Sequence, residues 1–61
     1  MTISLILHVQ SEDVLLFRGA ASECPPIPRA GDELVHESRR VKLEGISYQY
    51  QDGNVQISLL A

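Results

Sequence analysis

Three side chains in this sequence could act as soft metal ligands or activated nucleophiles: Cys24, His8 and His36. A cysteine nucleophile needs an imidazole within hydrogen-bond reach and a third group to orient that base. Cys24 stands directly before Pro25 and Pro26, and no spacing ties it to either histidine. His8 and His36 with a carboxylate such as Asp32 would give three zinc ligands, but the clustered spacing of a zinc site is missing. His8 falls on the polar phase of its segment, where a solvent-facing side chain belongs. There is no glycine-rich phosphate loop, no paired-carboxylate constellation and no recognised catalytic motif. The expectation is a chain without catalytic residues, metal or cofactor: not an enzyme.

The second chemistry to weigh is phosphate contact. Arg39, Arg40 and Lys42 cluster, and a small β-domain with such a strand could touch a nucleic-acid backbone. Glu37 and Glu44 flank the cluster, and Arg40, Lys42 and Glu44 share one strand phase, the usual look of a solvated edge. The net charge of −3 also works against a general nucleic-acid binder. Tyr48 and Tyr50, the aromatic residues that could stack on bases or on a ligand, are expected to line a core face with their hydroxyls at the rim. Nucleic-acid association through Arg39, Arg40 and Lys42 is kept as the alternative function.

The elements that must position these residues are short. Sixty-one residues make one small domain, spanning the whole chain. A chain of this length buries about 60% of the surface it exposes when unfolded. One cysteine excludes an internal disulfide staple. The apolar fraction of 44% and charged fraction of 21% are globular. The longest apolar runs, Leu5–Leu7 and Val14–Phe17, are far below the ~20 residues that cross a bilayer. No basic, signal-like segment opens the chain, so a soluble, cytoplasmic protein is expected.

Asp52-Gly53 is a two-residue hairpin signal, expected as a type I′ turn with both residues left-handed. With that turn, Tyr50 faces Val55, Tyr48 faces Ile57 and Ile46 faces Leu59 on one side of the ladder. Gln49 then faces Gln56, and Ser47 faces Ser58, on the other. A slip of one residue would mix the two sets, so turn and pattern agree on one register. Upstream, Val41 and Leu43 are odd-numbered while Ile46, Tyr48 and Tyr50 are even-numbered. A bulge or sharp bend near Glu44-Gly45 would turn both sets to one core.

Ile3, Leu5, Leu7 and Val9 alternate with polar residues, Ile6 excepted, which predicts a first strand. Val14 to Arg18 reads as a second strand; the competing helix, capped by Ser11, would carry Gly19 in its interior at a cost of ~1 kcal/mol. Cys24-Pro25-Pro26-Ile27-Pro28 must be an extended crossing loop, with Ile27 turned under the core. Ala30-Gly31-Asp32 turns the chain into a short strand, Glu33 to His36. The expected fold is all-β: five short antiparallel strands, a Pro-rich crossing loop and a C-terminal hairpin.

The run Pro28-Arg29-Ala30-Gly31-Asp32-Glu33-Leu34 resembles the strand entry of small SH3-like β-barrel proteins of bacteria and phages. Gly45-Ile46-Ser47-Tyr48-Gln49-Tyr50 and Val55-Gln56-Ile57-Ser58-Leu59 are similar to their closing hairpin. Some phage head–tail joining proteins share this layout. The resemblance implies a five-stranded SH3-like barrel and carries no functional residue. An aromatic that such sequences often place before the fourth strand's valine is absent here, where Val41-Lys42-Leu43 stands.

The leading functional expectation is a non-catalytic protein-interaction or structural module, of phage derivation on the resemblance, that acts as an oligomer. Ile6 and Leu60 depart from the polar side of their alternations, and a strand through Val14–Phe17 would send apolar side chains to both faces. Ile6, Leu15, Phe17 and Leu60 are therefore the expected interaction surface, with a protein partner or a second copy on it.

Overall fold

The computed structural model describes residues 1–61 and is all-β. Its strands are β1 (Thr2–Val9), β2 (Glu12–Ala20), β3 (Glu33–His36), β4 (Arg39–Lys42), β5 (Gly45–Gln51) and β6 (Asn54–Leu60). One 3₁₀ turn, Ala21–Glu23, follows β2. Four strands form one sheet in the order β2-β1-β6-β5, and β3 pairs with β4 in a second. No helix is long and apolar enough to cross a membrane.

The strand count corrects the expected five antiparallel strands in two respects. The segment from near Val41 to Gln51, read as one strand bent near Glu44-Gly45, is divided at Leu43-Glu44 into β4, which already begins at Arg39, and β5, so there are six. Leu43 is bound to the small sheet on both sides of its peptide: its N–H donates to the Asp32 carbonyl, and its carbonyl accepts from Gly31 N–H. One residue later the Glu44 N–H donates to the Leu60 carbonyl in the large sheet. The chain thus changes sheets within two residues, and the Leu43 side chain is wholly buried between them. The second correction is direction. β1 and β6 run parallel at the sheet centre, from Thr2 beside Asn54 to His8 beside Leu60. No ladder closes the two sheets into a barrel.

Cross-strand rows show why the core sits where it does. Phe17, Leu5, Ile57 and Tyr48 form one row across the sheet, and Val14, Leu7, Leu59 and Ile46 the next. Leu5, Leu7, Val55, Ile57, Leu59 and Leu43 are the buried core. Ile27, Leu34 and Val41 pack against it, so the crossing loop does tuck its isoleucine under the sheet.

Period-two arithmetic separates Val14 and Phe17, yet both lie on the core face. Leu5 pairs with Phe17 and Ile6 with Leu15, which leaves Leu16 as an extra, bulged residue. One inserted residue shifts the phase by one, so side chains three apart share a side. The segment is extended throughout, as the strand reading of Val14 to Arg18 requires.

The β5–β6 register is the expected one at every pair, from Gln51 beside Asn54 to Ile46 beside Leu59. Its turn is not type I′. Gly53 has φ 70° while Asp52 is not left-handed, which meets the type II requirement at the second central residue only. The β3–β4 turn does place both central residues, Glu37 (φ 50°) and Ser38 (φ 66°), in the left-handed region.

Candidate interaction surfaces

The outer face of the four-stranded sheet is built from the other set of cross-strand rows. Ala20, Thr2, Asn54 and Gln51 make one row, and Arg18, Ser4, Gln56 and Gln49 the next. Then come Leu15, Ile6, Ser58 and Ser47, and finally Asp13, His8, Leu60 and Gly45. The amide and hydroxyl end encloses a concavity of ≈ 420 Å³ lined by Thr2, Ser4, Arg18, Gln49 and Gln56 among others, with Ile6 and Leu15 at its border. The other end carries the apolar residues of this face, Leu15, Ile6 and Leu60, beside Ser47, Ser58, His8 and Asp13. Leu15 is 58% exposed and Leu60 42%. His8 Nδ1 and Asp13 Oδ1, 2.6 Å apart, close the row beside Leu60.

The expected patch of Ile6, Leu15, Phe17 and Leu60 is therefore brought together only in part. Ile6 and Leu15 are cross-strand neighbours, and Leu60 lies diagonally from Ile6 on the same face. Phe17 is on the opposite face, packed against the core, and leaves the patch. The bulge at Leu16 is the cause, because it returns Phe17 to the core phase.

Arg39, Arg40 and Lys42 lie on β4, all exposed. Lys42 faces Glu33, the one pair of opposite charges on this ladder, while Arg40 faces Val35 and Arg39 faces His36. Neither arginine nor the lysine lies within ion-pair distance of a carboxylate; the carboxylate contacts of this kind are made by histidines, His8 with Asp13 and His36 with Glu37. Glu44 falls in the sheet-crossing segment and not on β4. Cys24 is free and half-buried, and no three of its His, Cys, Asp and Glu side chains gather as a metal site. The Asp32 carboxylate instead accepts from the Arg29 backbone N–H at 2.9 Å and fixes the turn into β3.

The surface that sequence reasoning missed is the free edge of β5. Tyr48 and Tyr50 have the expected partners, Ile57 and Val55, but are 48% and 73% exposed. The core-lining expectation is corrected: β5 is the last strand of the sheet, and of its inner-face residues only Ile46 packs against the core. The two rings stack on each other at 6.4 Å between centroids and 13° between planes. Along Ile46–Gln51 no backbone group bonds to anything beyond β6. The signal available in the sequence was the charge-free run Gly45–Gln51. Comparison with protein-family models, with curated proteins and with solved structures returned no match.

Proposed function

We propose that this chain is a small, non-catalytic protein-interaction module that works as a homo-oligomer, most simply a dimer. The observation that carries this reading is the imbalance between core and surface. Six side chains are buried, while Leu15, Leu16, Val35, Tyr48, Tyr50 and Leu60 are exposed. A domain of this size draws roughly 3–5 kcal/mol from its core. Each further Leu, Ile or Phe fully buried at an interface contributes about 1.5–3 kcal/mol. Two sheets facing one core across the Leu43 switch are compatible with an opened SH3-like layout, and that layout is the fold reading that accompanies the proposal. Sedimentation velocity over a micromolar concentration series tests the reading. A dimer mass is expected, and a monomer at every concentration overturns it.

A second reading draws on the three exposed, unpaired cations. Arg39, Arg40 and Lys42 would contact a phosphate backbone, with binding that weakens steeply as salt rises. The absence of a mobility shift with oligonucleotides at low salt removes it.

A further inference from the structure

We infer that the self-association seam is the free edge of β5, where a second copy adds its own β5 in antiparallel pairing and joins two four-stranded sheets into one of eight strands. This deepens the oligomer reading and rests on it. A sheet edge presents a row of unsatisfied backbone donors and acceptors, and folded proteins blunt such edges with charge, proline, bulges or short strands. Every other candidate edge here has one of these devices. β2 carries Glu12, Asp13 and Arg18 and is bulged at Leu16. β3 and β4 are four residues each, with Glu33, Arg39, Arg40 and Lys42 on them. β5 has none: Gly45-Ile46-Ser47-Tyr48-Gln49-Tyr50-Gln51 is seven residues of unbroken strand without charge or proline.

The same residues specify the occupant. A twofold axis through Tyr48, the midpoint of β5, pairs the whole strand end to end. Tyr48 then faces Tyr48 of the second copy, Ile46 faces Tyr50, and Ser47 faces Gln49. Aromatic and apolar side chains meet on the core face, hydroxyl and amide on the outer face, and no polar residue opposes an apolar one. Cross-strand aromatic pairs of this kind stabilise antiparallel ladders, whereas like charges directly opposite destabilise them. A chain of net charge −3 meets its copy along a strand with no charge at all. The exposed Tyr48–Tyr50 stack of each copy would then meet the other at the axis, Tyr48 against Tyr48, with each Tyr50 beside Ile46 of the second copy. The outer patch offers less for a twofold contact, since Phe17 is on the other face.

Sedimentation velocity on full-length variants decides it. Tyr48→Lys puts two ammonium groups opposite each other on the axis and should weaken dimerisation at least tenfold, with an unchanged far-UV spectrum. Mixing the Tyr48→Lys chain with a Tyr48→Glu chain should restore a dimer, because only a residue on the axis meets its own position. Ile6→Lys and Leu15→Lys should leave the dimer intact. A dimer that survives Tyr48→Lys but is lost on Ile6→Lys or Leu15→Lys overturns the seam and keeps the oligomer reading. A wild-type monomer overturns both. Should Tyr48→Lys fail to fold, Tyr48→Cys in a Cys24→Ser chain serves instead. A short thiol-bridging reagent should link it faster than Tyr50→Cys, although Tyr50 is the more exposed. In the proposed register the two Tyr50 positions are four residues, about 13 Å, out of alignment. Equal or faster linking at Tyr50 overturns the seam.

Discussion

Of the six buried side chains, five belong to β1 and β6 of the large sheet, whereas β3 and β4 of the small sheet contribute none. The sixth, Leu43, sits on the segment between the two sheets. β1 and β6 each have a strand on both sides and carry the rows that face the core. β3 and β4 pair only with each other and supply Leu34 and Val41, half-buried, as a cover. The difference teaches which half is the framework. The large sheet holds the fold; the small one closes its open face, latched by Leu43.

Core truncation separates the two halves most strongly. Leu7→Ala removes a fully buried side chain and should cost about 2–5 kcal/mol. That is comparable to the roughly 3–5 kcal/mol expected of a domain this size, so urea titration should find the variant substantially unfolded in buffer. Leu34→Ala, in the cover, should keep a cooperative transition with a smaller loss. If both variants unfold alike, the framework and cover distinction is wrong.

The turns extend the contrast at lower magnitude. Gly53 closes the large-sheet hairpin at φ 70°, and a Cβ added there would meet nothing within 4 Å. Gly53→Ala therefore costs only the left-handed backbone, about 1–2 kcal/mol, read as a lower urea midpoint. Hydrogen exchange should divide the sheets next. Amides of β1 and β6 are expected to exchange at least tenfold more slowly than those of β3 and β4, a gap of about 1.4 kcal/mol in opening free energy. Equal protection would make the molecule one cooperative unit. The smallest effect lies in the cover's own turn. Glu37 and Ser38 hold left-handed conformations without glycine, so Ser38→Gly should raise stability by about 0.5–1 kcal/mol, partly offset by glycine's chain entropy. A midpoint that falls instead would show that the Ser38 side chain contributes there.

Local chemistry alone determined the alternation of Ile3, Leu5, Leu7 and Val9, the extended Pro-rich crossing and the pairing of every residue in the β5–β6 hairpin. These are decided within a few residues, by period two and by a turn that only one register satisfies. The tertiary structure decided three other things. The Leu16 bulge moved Phe17 from the expected interaction surface to the core face, where it packs against the buried cluster beside Leu5. The break at Leu43-Glu44 turned one bent strand into two, since Leu43 is held by Gly31 and Asp32 while Glu44 already belongs to Leu60. The last is the exposure of Tyr48 and Tyr50. Alternation shows which face a side chain occupies, and it assigned both tyrosines correctly. Whether that face is covered depends on a strand's place in the sheet. The parallel pairing of β1 with β6 brings chain ends together across almost the full sequence, and so leaves β5 at the rim.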